Sequence, residues 1–257
     1  MSDDEQPPPE PQVIALELEP TPLTASTSGL TLSLGVREYF AATHLWSAEY
    51  TAEQCLRREQ ELLSIRHQGV DLRQRSLCVA SVFSAVAFLE ALVNEVGQDA
   101  ADHKHGSQLP SRLSPLSETE IHRIGGVWKD GIERVSPIDK FSAVSVLVDR
   151  PAVDRGREPG QSVDLLVKLR HTLVHYKPET QWDDKVRRVD KGLRSRIAPN
   201  PLMPPDTHPW YPNLLLSAAC ASWACETVTA FAGEWWSAMG FDYDYRGGID
   251  YRDGIDG

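Results

Sequence analysis

CVASVFSAVAFLEALVNEV, residues 78–96, decides the fold class. Its apolar residues recur three and four apart, no Gly or Pro interrupts it, and nothing in it alternates as a strand would. The pattern extends outward into a long helix from about Asp71 to Asp102. The longest apolar runs, Leu77–Leu89 and Leu214–Cys225, are too short to span a bilayer and are followed by Glu90 and Glu226. The reading is therefore of core helices in a protein that does not cross a membrane.

Upstream, about Glu38 to Gln68 reads as a second long helix. Downstream, His103–Pro115 reads as a loop, and Ser117 with Glu120 three residues later has the form of a capping box. Pro137 and Pro151 bracket a short helix, and DRGREPGQS (154–162) is a loop whose Ser162 caps the next helix, ending before Pro178. After a basic stretch and a proline-punctuated connection, a last helix over Asn213–Met239 sets Leu216, Cys220, Trp223 and Phe231 at helical spacing. The run LTLSLGV (30–36) alternates like a strand but has no partner. The expectation is an all-α bundle of about five to seven helices, one domain over residues 31–240.

The formal net charge is −11, and its placement narrows its meaning. Residues 1–20 hold Asp3, Asp4, Glu5, Glu10, Glu17 and Glu19 with no Lys or Arg, and residues 241–257 are rich in Asp. The body between them is nearly neutral, so the acidity does not argue against a nucleic-acid partner. Residues 1–30, rich in Pro, Glu, Ser and Thr, read as a disordered tail. Residues 241–257, with YRGGID followed by YRDGID, read as a solvated acidic tail. Cys55, Cys78, Cys220 and Cys225 lack zinc-knuckle or redox spacing and read as buried free thiols in a reducing, cytoplasmic protein. The N-terminus is unlike a signal peptide.

LLVKLRHTLVHY, residues 165–176, carries the chemistry. On a helix turning about 100° per residue, Arg170 falls inside the apolar arc, between Val163, Val167 and Val174 on one side and Leu166, Leu169 and Leu173 on the other. Asp164, Lys168, His171 and His175 form a polar stripe beside it. A buried unpaired cation would cost several kcal/mol, so Arg170 asks for an anion. Glu90, which interrupts the stripe Phe83, Val86, Glu90, Val93, Gly97, is the expected partner, with Asn94 one turn on. One reading of this pair is purely architectural. His171 and His175 have the spacing of a metal-ligand pair, but HExxH is absent and no third ligand stands at a recognisable spacing; His103 and His105 lie in a loop. Neither metal nor cofactor is expected.

Arg170-His171-x-x-x-His175, on a helix ending near a proline, resembles the signature of the HEPN superfamily of small helical domains. FLEALVNE and CASWACETVTAFAGEW resemble helices of bacterial proteins of that superfamily, and the likeness covers about residues 70–240. The resemblance implies a homodimer whose motif helices face each other, and a metal-independent endoribonuclease such as a bacterial toxin or defence effector, with an antitoxin as a further partner. It implies His175 as acid/base, Arg170 as phosphate clamp, His171 as a second proton-transfer or orienting group, and Glu90 behind Arg170. The resemblance leaves a second reading open, a non-catalytic helical dimer binding RNA, a nucleotide or a protein. Lys185, Arg187, Arg188, Lys191 and Arg194, just after the motif, read as a solvated basic face or an RNA-backbone contact.

Overall fold

The computed structural model describes residues 37–105, 110–177, 188–207, 209–242 and 244–246. These form eight α-helices: α1 (Ala41–Ser64), α2 (Leu72–Asp102), α3 (Glu118–Lys129), α4 (Pro137–Leu147), α5 (Gly160–Val174), α6 (Arg188–Arg194), α7 (Trp210–Asn213) and α8 (Ala218–Met239). Two 3₁₀ turns, Ser111–Leu113 and Ile132–Arg134, complete the described residues, which contain no strand. The fold is all-α, with short α6 and α7 taking the helix count past the expected range. The strand-like run at 30–36 and most of both acidic tails lie outside the described residues.

Helix α2 is the axis of the bundle, in contact with α1, α3, α4, α5 and α8. Val82, Ala85, Val86, Phe88, Leu89, Leu92, Val93 and Val96 are all buried, so α2 is apolar on more than one face. Its length and composition would suffice to cross a membrane, a stronger apolar signal than the sequence runs convey. Half of that apolar window is buried inside the bundle. Where α3 crosses α2, Gly97 leaves room for the Trp128 ring; a Cβ there would lie 2.2 Å from it. At the α4–α8 contact the Phe141 ring meets Phe231 and Trp235 edge-on, and Trp235 Nε1 donates to Ser145 Oγ at 2.9 Å.

The helix ends are tied by side chains from other helices. At the start of α1, Glu95 of α2 accepts from the Phe40 and Ala41 amides at 2.7 and 2.8 Å. Its other oxygen takes Arg112 at 2.9 Å, and Arg112 also binds buried Asp99 and lies over the Tyr39 ring. Asp71 caps α2 by accepting from the Gln74 amide, and the Arg58 guanidinium holds the Asp71 carboxyl below its ordinary range. Glu59 of α1, buried, accepts from Gln74 Nε2 at 3.0 Å and from the Ala218 amide, the first of α8, at 2.9 Å. Burial lifts its carboxyl above the ordinary range. Ser117 and Glu120 form the capping box expected at α3. All four cysteines are buried free thiols.

The turn between α1 and α2 is a Schellman motif: the His67 amide donates to Leu62 O and the Arg66 amide to Leu63 O. Its left-handed position, normally glycine, is Arg66 at φ 54°. An L-residue there costs roughly 1–2 kcal/mol.

Candidate functional site

The motif helix α5 begins three residues earlier than the capping pattern suggests. Its N-cap is Pro159, and Ser162 lies inside the first turn. The Glu158 carboxylate takes the Ser162 amide at 3.2 Å, while Ser162 Oγ accepts from Arg196 Nε at 3.1 Å. Gly160 is required because a Cβ would sit 2.3 Å from the Asp154 carbonyl. Val163, Leu166 and Leu169 are buried, whereas Val174 at the far end is half exposed. The helix thus leaves the core as it reaches the motif.

The polar stripe forms as expected. Asp164 pairs with Lys168 one turn on and lies 3.9 Å from Arg155. His171 and His175 are exposed, their ring centroids 4.4 Å apart and planes inclined by 48°. His175 is the C-cap of α5, its amide donating to the His171 carbonyl. No hydrogen bond holds either imidazole among the described residues.

The expected pairing of Glu90 with Arg170 does not occur. Glu90 gives its carboxylate to the Lys140 ammonium, and Asn94 Oδ1 accepts from the same nitrogen at 2.9 Å. The Lys140 side chain has no exposed surface, while Glu90 retains 34%. A fully enclosed ammonium needs an anion more than a half-buried guanidinium does, because solvent can stabilise the latter. Arg170 is half-buried and has no hydrogen bond or ion pair among the described residues. The sequence holds a signal for Lys140: Lys140, Val144 and Leu147 share a stripe of α4, so the lysine stem runs into the core.

Helix α6 packs on α5, where a Cβ on Gly192 would meet Leu165 at 2.9 Å. Of the basic residues read as an RNA contact, Lys185 and Arg187 lie outside the described residues, and Arg188 opens α6. Lys191 is exposed, and the Arg194 guanidinium lies 4.8 Å from the centroid of the buried Trp210 ring. A cavity of about 460 Å³ between α5 and α6 is lined by Arg155, Asp164, Lys168 and Arg196. Its cations already have carboxylates: Arg155 binds Asp139, Lys168 binds Asp164, and Arg196 binds Glu158 at 2.6 Å. The groove is balanced in charge, whereas Arg170, beside the two imidazoles, has no ion pair among the described residues.

His103 and His105 sit at the end of α2 against Glu118, at 3.2 and 3.5 Å. Among the described residues no group of three or more His, Cys, Asp or Glu is arranged to hold a metal ion. Comparison with protein-family models, curated proteins and solved structures finds no match to this chain. The reading of the site therefore rests on its own geometry and on the likeness of its motif.

Proposed function

We propose that the chain is a HEPN-like, metal-independent endoribonuclease acting as a homodimer, with Arg170, His171 and His175 as its reacting groups. The observation that carries this reading is the unclaimed guanidinium of Arg170 beside two exposed, neighbouring imidazoles. Lys140 satisfies Glu90, so Arg170 is available to an anion from outside. In the reaction, one imidazole takes the proton of a ribose 2′-hydroxyl as that oxygen attacks the adjacent phosphorus. Arg170 holds the non-bridging oxygens while negative charge builds on them. The second proton carrier protonates the departing 5′-oxygen, leaving a 2′,3′-cyclic phosphate and a 5′-hydroxyl. The half-exposed Val174 and Tyr176 at the end of α5 supply apolar surface for pairing of two motif helices.

One observation favours the second reading, a non-catalytic binder of RNA, nucleotide or protein. A catalytic histidine is usually oriented by a hydrogen bond at its other nitrogen, and neither imidazole has one among the described residues. The deciding experiment incubates the full chain with RNA in EDTA, beside Arg170→Ala and His175→Ala. Cleavage that survives EDTA and falls at least about a hundredfold in both variants supports the nuclease. RNA retention without cleavage, lost in Arg170→Ala, selects the binding module.

A further inference from the structure

The α1–α2 turn carries an apolar and basic tip that the motif does not use. Leu63, Ile65, Val70 and Leu72 are all exposed there, Ile65 by 72% and Leu72 by 75%. Arg66 and Arg73 stand among them, exposed, with no ion pair among the described residues. The nearby carboxylates of Glu61 and Asp71 are taken by Arg58.

These side chains are held in place. The Schellman bonds fix the end of α1, Gly69 donates its amide to the Leu202 carbonyl at 2.8 Å, and Asp71 caps α2. Arg66 occupies a left-handed position at φ 54° that glycine would fill without strain. Strained residues kept at a surface point to a use for the side chain they carry.

We infer that this tip is a contact surface for an anionic lipid bilayer. The aliphatic side chains stand at the end of a helical hairpin, a convex feature, and a bilayer interface accepts protruding apolar groups without a complementary groove. Two unpaired guanidinium groups beside them match anionic headgroups. The body of the chain is nearly neutral, so the attraction to such a surface is local to this basic tip. The contact is peripheral and leaves α2 in the core.

The test is co-sedimentation of the full chain with vesicles of equal parts phosphatidylserine and phosphatidylcholine, against phosphatidylcholine alone. Ile65→Ser with Leu72→Ser, and Arg66→Gln with Arg73→Gln, change exposed residues, and circular dichroism checks that both double variants keep the helical fold. The wild type sediments with the anionic vesicles and at least tenfold less with neutral ones. The arginine double variant weakens binding by about thirtyfold, and the apolar double variant loses most of it. No sedimentation of the wild type with anionic vesicles overturns the proposal, as does sedimentation unchanged by both double variants. Capture of poly-glutamate by the tip without vesicle binding also overturns it, assigning the surface to an acidic polypeptide.

Discussion

The Lys140 ammonium, wholly enclosed on α4, is held by the Glu90 carboxylate of α2. Exchanging Lys140 for Met removes the enclosed charge but leaves Glu90 without a cation. Because Glu90 is partly solvated, the expected loss is about 2 kcal/mol, read by urea denaturation. Adding Glu90→Leu to Lys140→Met restores most of it, since two packed apolar side chains replace a paired charge.

Arg170 has no protein partner among the described residues, so it contributes little to holding the bundle together. Arg170→Gln is expected to shift stability by less than about 1 kcal/mol while lowering RNA cleavage about a hundredfold or more. Thermal melting and a cleavage assay on the same preparation check both halves. Arg170→Lys keeps the charge but not the planar fork, and cleavage stays well below wild type.

Two carboxyls oppose each other in the pH dependence of stability. Burial raises Glu59, so the folded chain holds that proton more tightly than the unfolded chain does. Its contribution is complete below the ordinary glutamate value of about 4.3 and is lost as pH rises through the higher folded value. Arg58 lowers Asp71, whose contribution is present above the ordinary aspartate value and lost as pH falls through the folded one. Glu59→Gln keeps an oxygen for Gln74 and Ala218 and removes the first effect. Denaturation at pH 5 and pH 8 should show a smaller loss of stability on going to pH 8 in Glu59→Gln than in the wild type.

Gly97→Ala sets a methyl group against the Trp128 ring, where a Cβ would lie 2.2 Å away. The ring must move or the helices must part, at a cost of about 1–3 kcal/mol. Denaturation gives the magnitude, and the near-ultraviolet circular dichroism of the tryptophans reports the displaced ring.

The helices could be read from the chain because their signals are local. Asp71, Ser117 and Pro137 mark starts, and the apolar period of residues 78–96 leaves no other secondary structure open. Ser162 is not the cap because a glutamate earlier in the loop, Glu158, takes its amide and the helix starts on Gly160. The stripe of Asp164, Lys168, His171 and His175 follows from helix angle alone. The partner of Glu90 does not: two cations on different helices competed for it, and burial, a property of the assembled bundle, gave it to Lys140. The roles of Glu59 and Glu95 are likewise set by the assembled bundle, since each caps a helix distant in sequence.

The Glu59 contact gives the bundle an order in time. The carboxylate belongs to the first helix, and one of its two donors is the amide that opens the last. During synthesis α1 and α2 can pair early, but Glu59 stays half satisfied until Ala218 has left the ribosome. A nascent chain interrupted before that point has an uncovered α1–α2 face with the Glu59 carboxylate left in water. Such a chain is a natural substrate for a holding chaperone, and release would follow the docking of α8.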